Sequence, residues 1–204
     1  LQGMHYLIAG TRPDFTALQF ETAVHDRINE LTTEERQDAI RKIMWFVDYD
    51  DRLRAMAAHP KMLAVLRRII GADELTMFQD MALAKPPRIG REKPWHQDMA
   101  YFDLPIDTTV AGVWIALDPV DVDNGCMMML PRSHQLGPHV HFRRRDWQIC
   151  DTEVPRNAAV AVPMQPGDAL VFHGLIHHGT PANRSDRRRR ALQVHYRPAS
   201  TEEQ

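Results

Sequence analysis

Apolar positions in the first third of the chain recur at helical spacing. Thr32-Thr33-Glu34-Glu35 pairs a threonine hydroxyl with a glutamate three residues on, a start signal in which each side chain satisfies the other's free amide. Ile40, Ile43, Met44 and Val47 follow at intervals of three and four, which predicts a helix. Pro60 opens a second one, Met62, Leu63, Leu66, Ile69 and Ile70 give it an apolar face, and Gly71 is placed to close it. Beyond Gly71 the texture changes to short runs rich in β-branched and aromatic residues, broken by Pro86-Pro87, Pro105, Asn124-Gly125, Pro131, Pro163, Pro166-Gly167 and Pro181. These runs predict strands over 76–85, 110–117, 126–130, 158–162, 169–173 and 191–196, with Asn124-Gly125 supplying the positive-φ turn of a hairpin. Many short strands point to a sandwich or jelly roll. The stretch 136–154 has the least pattern and reads as a loop over a site.

Length and composition narrow this picture. A chain of 204 residues, 44% of them hydrophobic, supports one sizeable core and hence one domain over 1–204, helical to about residue 71 and β-rich over about 76–198. A formal charge of -2 gives no global field for a polyanion, and Arg143-Arg145 and Arg187-Arg190 are only local basic runs, so nucleic acid is not an expected partner. Cys126 and Cys150 are too few for a disulfide framework and lack zinc-site spacing, which favours a reducing, intracellular and cytoplasmic setting. No window approaches the ~20 apolar residues of a membrane span and no targeting signal is seen, so a soluble protein is expected, although Leu1 is an improbable native start.

The candidate chemistry begins at Pro94-Trp95-His96-Gln97-Asp98. Residues i and i+2 of an extended chain point to one face, so His96 and Asp98 can reach the same ion. A third ligand from the distant group His173, His177 and His178 would complete the two-histidine, one-carboxylate set that holds non-haem iron(II) and leaves open positions. Spacing alone leaves all three histidines in contention, and strand alternation puts His173 and His177 on one face and His178 on the other. His134, His139, His141 and His195 read as surface or satisfied core histidines.

In order along the chain, Lys85-Pro86-Pro87, Trp95-His96-Gln97-Asp98, Val113-Trp114-Ile115-Ala116-Leu117, Asn124-Gly125-Cys126, Leu130-Pro131-Arg132-Ser133-His134, Pro166-Gly167-Asp168 and His178-Gly179-Thr180 with Arg189 beyond resemble the phytanoyl-CoA dioxygenase family of 2-oxoglutarate oxygenases. The resemblance covers most of the chain. It implies a mainly β fold, a double-stranded β-helix (jelly-roll, cupin-like) core with flanking N-terminal helices, and an Fe(II)- and 2-oxoglutarate-dependent dioxygenase that also consumes O2 and acts on a small-molecule or acyl substrate. Carried over by position, His96, Asp98 and His178 are the implied metal ligands. Arg189, eleven residues past His178, and Thr180 would grip the far carboxylate of 2-oxoglutarate, while Gln97, Met81 and Trp114 would line its pocket. Lys42 aligns with a family lysine only after a one-residue shift and stays outside that set. Halogenating relatives lack the carboxylate that Asp98 supplies here, so the resemblance favours hydroxylation. Two alternatives keep the fold: a binding or regulatory module without turnover, and another metal-dependent enzyme on the same scaffold. In the oxygenase reading, 136–154 is expected to act as a lid.

Overall fold

The structure, a computed structural model, describes residues 1–202. The first half contains α1 (Gln2–Ile8), β1 (Leu18–Phe20), α2 (Thr33–Gln37), β2 (Ile40–Met44), α3 (Asp51–Ala57) and α4 (Pro60–Ile70). The second contains β3 (Leu75–Lys85), β4 (Lys93–His96), β5 (Ala111–Ala116), β6 (Met127–Met129), β7 (His141–Arg143), β8 (Trp147–Ile149), β9 (Val160–Val162), β10 (Ala169–His173), β11 (His178–Thr180) and β12 (Arg189–Pro198). Among the described residues no helix is long and apolar enough to cross a membrane.

Local signals act where expected at α2 and α4. Thr32 and Glu35 form the reciprocal capping box, Pro60 stands in the first turn of α4, and Gly71 ends it in the left-handed region at φ 78°, which costs a residue without Cβ least. The helix expected through Ile40 and Val47 is instead strand β2 followed by a short 3-10 turn, Phe46–Asp48. Spacing of three would put Ile40 and Ile43 on opposite faces of a regular strand. A bulge resolves this: Phe20 pairs with Ile40 and Gln19 with Lys42, so Arg41 is the extra residue and both isoleucines reach the core. A short apolar run at i and i+3 cannot by itself separate a helix from a bulged strand, and the open edge of β3 provides the partner that decides.

Six strands form one antiparallel sheet in the order β1-β2-β3-β12-β5-β10, and four form a second in the order β4-β11-β6-β9. This is the cupin-like, double-stranded β-helix arrangement. Alternation divides the large sheet. Ala82, Ala84, Val113, Leu192, Val194 and Tyr196 turn outward and pack with Met4, Leu7, Leu53 and Leu66 of the helices. Met81, Leu83, Trp114, Arg189 and Gln193 turn inward, toward the small sheet. Trp114, Met127, Met129, Phe172 and Ala191 close the apolar layer between the sheets.

Two further expectations are corrected. Gly125 does adopt a positive φ of 90°, but the turn is stapled by Asp121 and Asn124 and leads from β5 into a different sheet, so it joins no hairpin. The supposedly unpatterned 136–154 contains the β7–β8 hairpin, with His141 opposite Ile149.

Candidate active site

β4 and β11 bring the chemistry together. They pair antiparallel with His178 directly opposite His96, which sets two imidazoles side by side on one face. Gly179 permits this approach, because a Cβ there would stand 3.0 Å from the Lys93 carbonyl oxygen. Asp98 opens the 3-10 segment Asp98–Tyr101 immediately after β4, and its Oδ1 lies 3.3 Å from His96 Nε2 and 3.5 Å from His178 Nε2. All three side chains are buried, and their donor atoms fall within 4.8 Å of one another.

Each imidazole is held in the tautomer that leaves Nε2 as a lone pair. His96 Nδ1 donates to the Pro94 carbonyl at 2.8 Å and His178 Nδ1 to that of Ile176 at 3.0 Å. Burial, reinforced by His178, pushes His96 down to about 3, so it stays neutral across the physiological range. The Asp98 carboxyl is held well below the usual carboxylate range; burial alone would raise it, but His178 and His195 outweigh burial. The far oxygen of Asp98 is also fixed. Oδ2 accepts from His195 Nε2 at 2.8 Å and from Gln193 Nε2 at 3.1 Å, leaving Oδ1 to face the two histidines. Two nitrogen donors and one oxygen donor converging on one face fit a divalent ion such as iron(II) with positions left open.

The rival histidines lie elsewhere. His173 accepts from the Leu175 amide and packs beside His134 with ring centroids 5.3 Å apart, and His177 packs beside His139 at 4.4 Å. Sequence reading missed His195 and Gln193. Their signal was the inward register of β12, shared with Arg189.

A cavity of about 410 Å³ opens from the triad between the sheets, lined by Met81, Trp114, Thr180 and Arg189 as well as by His96, Asp98 and His178. Arg189 is 2% exposed, and its guanidinium lies 5.4 Å from the Trp114 ring centre. Its one hydrogen bond among the described residues is a long one, Nη1 to the Leu83 carbonyl at 3.4 Å, while Nε has no partner and no carboxylate pairs with it. Burial, then repulsion from Arg41, pushes it down to about 9, which leaves it charged at neutral pH. A buried cation without a counter-ion is costly to keep, and a carboxylate-bearing ligand in this cavity would remove that cost.

Gln97 does not join this group. It follows His96 by one residue, so its side chain points away from the cavity, where Nε2 donates to the carbonyls of Gly137 and Leu175 and Oε1 accepts from the His139 amide. Its backbone amide donates to His141 Nε2 at 2.9 Å. Gln97 therefore binds 137–141 to the metal-facing segment.

Comparison with known proteins gives a consistent picture. A sequence model of the family described as phytanoyl-CoA dioxygenase matches residues 8–191. A Caenorhabditis elegans protein named "Probable phytanoyl-CoA dioxygenase" is 32% identical over 175 residues, covering 78% of this chain and 55% of its own. The peroxisomal phytanoyl-CoA dioxygenase of Bos taurus is 29% identical over 176 residues, covering 80% and 51%. The chain thus spans about half the length of these curated relatives. Among solved structures, EvdO2 from Micromonospora carbonacea var. aurantiaca, crystallised with 2-oxoglutarate, is similar with TM-score 0.70 and 28% identity, over 80% of this chain and 68% of that one. EctD from S. alaskensis shares the fold at TM-score 0.73 and 20% identity, over 100% and 68%. With its match across nearly the whole length and its fold in common with these enzymes, the chain belongs to the phytanoyl-CoA dioxygenase family.

Proposed function

We propose that the protein is a non-haem iron(II)- and 2-oxoglutarate-dependent dioxygenase that hydroxylates a C–H bond of a small-molecule or acyl substrate. The observation that carries this reading is a buried two-histidine, one-carboxylate set sharing a cavity with a buried, unpaired arginine. His96, Asp98 and His178 would hold the metal, with Asp98 ligating through Oδ1 alone because His195 and Gln193 occupy Oδ2. Arg189 would take the far carboxylate of 2-oxoglutarate in its planar fork, aided by the Thr180 hydroxyl, while Trp114 and Met81 press on the carbon chain. When bound, iron with 2-oxoglutarate and O2 supplies the oxidant, one oxygen atom ending in succinate as carbon dioxide leaves and the other in the substrate. The chain's own part is to orient these groups and to exclude water, for which the apolar layer around Trp114 is suited. Its intact carboxylate at Asp98 favours hydroxyl over halide transfer.

The test is succinate formation from 2-oxoglutarate by anaerobically iron-loaded protein on admission of air, across a substrate panel. Wild type should turn over, and His96→Ala, Asp98→Ala, His178→Ala and Arg189→Ala should not. Absence of turnover together with absence of calorimetric binding of iron and 2-oxoglutarate would overturn the reading.

A further inference from the structure

The 3-10 segment after β4 carries a second side chain to the candidate metal site. Side chains at i and i+3 eclipse in such a turn, so Asp98 and Tyr101 leave it on one face. The Met99 amide donates to the Gly174 carbonyl at 3.0 Å and the Ala100 amide to that of Gln97 at 3.2 Å, which fixes the turn in place. The Tyr101 ring lines the cavity and meets His96 edge to face, with centroids 5.8 Å apart and planes at 90°. It is held there. Its hydroxyl accepts from Lys93 Nζ and donates to the Trp147 carbonyl at 3.1 Å, while Trp147 Nε1 donates to the Ala100 carbonyl at 3.1 Å.

The other oxidisable side chains of the cavity stand less directly against a metal ligand. Phe102 packs on His195 with centroids 5.0 Å apart, and His195 holds Oδ2, the Asp98 oxygen turned away from the two ligand histidines. Phe102 therefore lies behind the carboxylate. Trp114 stands beside Arg189, at the end of the cavity where the cosubstrate carboxylate is proposed to bind. Met81 pairs with Gln193 on β12 and Met44 with Met81, so both thioethers face the cavity from the large sheet. Tyr101 alone among these rings combines contact with His96 and a hydroxyl that feeds electron density into the ring.

We propose that Tyr101 is a self-hydroxylation site, the ring that takes up oxygen when the protein turns over 2-oxoglutarate with no primary substrate in the cavity. The inference rests on the oxygenase reading. One ring C–H next to the hydroxyl-bearing carbon becomes C–OH, which makes the side chain a catechol. The ring gives up one electron pair and 2-oxoglutarate another, and together they reduce O2. One oxygen atom enters the ring, the displaced hydrogen ending on the new hydroxyl, and the other enters succinate as carbon dioxide leaves. A bound substrate offers its own C–H in competition, so the modification marks uncoupled turnover.

Mass spectrometry tests this on protein loaded anaerobically with Fe(II) and 2-oxoglutarate and then opened to isotopically labelled O2, with succinate measured in the same tube. One labelled oxygen should appear on Tyr101, located by fragmenting its peptide, and it should vanish when 2-oxoglutarate is omitted or in Asp98→Ala. A second measurement needs no turnover. In protein containing meta-fluorotyrosine, Mn(II) at the candidate site should broaden one of the four tyrosine fluorine signals most, and that signal should be the one missing from Tyr101→Phe. Succinate without label on Tyr101, label carried by Phe102 or Met44 in its place, or broadening strongest at another tyrosine overturns the site and leaves the oxygenase reading standing. Absence of both succinate and label overturns the two together.

Discussion

Replacing His195 with phenylalanine isolates one interaction at the candidate metal site. His195 is fully buried between Phe78 and Phe102, with ring centroids 6.1 and 5.0 Å away, so a benzene ring suits the space and its apolar walls. What is lost is the 2.8 Å hydrogen bond to Asp98 Oδ2, while Gln193 keeps its own at 3.1 Å. Removing a group that orients a metal ligand lowers metal affinity by about 10–100-fold, and the surviving Gln193 bond argues for the lower end, about tenfold or ~1.4 kcal/mol. At saturating metal that difference appears directly as lost stabilisation, and for a chain of this size it amounts to a rise in melting temperature smaller by about 3–6 °C. The assay is anaerobic thermal unfolding with and without Fe(II), comparing the metal-induced rise in wild type and His195→Phe. Using that difference removes any effect of the substitution on the metal-free fold, and no turnover is needed. Adding Gln193→Leu should deepen the loss toward about 100-fold. An unchanged metal-induced rise in a folded His195→Phe protein would refute the view that Asp98 is aimed from its far oxygen.

Arg189→Lys keeps the charge but not the planar fork, so 2-oxoglutarate affinity should fall by about tenfold or more with Fe(II) affinity unchanged, both read by anaerobic calorimetry. Gln97→Ala removes three side-chain hydrogen bonds and should cost about 2–3 kcal/mol in urea unfolding, with faster amide exchange over 137–141; unaltered exchange there would contradict its tethering role. Burial raises Tyr196 from 10.0 to about 12. Between those values the unfolded chain gives up a proton that the folded protein retains, so stability falls as pH rises, by about 1.4 kcal/mol per unit at most. Tyr196→Phe should flatten that slope when urea midpoints are compared at about pH 9 and pH 11, and an equal slope in both proteins would count against it.

Two members of the triad were legible because they are local. His96 and Asp98 stand two apart in an extended segment, and the family order of motifs singled out His178 where spacing left three histidines open. Met81, Trp114 and Arg189 were named by the family resemblance alone, since in apolar strands the first two read equally as core, and all three line the cavity. Gln97 was misplaced although the same alternation excludes it: if His96 and Asp98 face the metal, the residue between them faces away. Arg41 went unread, and Lys42 was set aside, for a different reason. A bulge depends on which strand offers an edge, and no residue type at 40–44 announces it, so an i, i+3 pair of isoleucines read as a helix. His195 looked like core because it is core; its second role depends on a carboxylate 97 residues away in sequence.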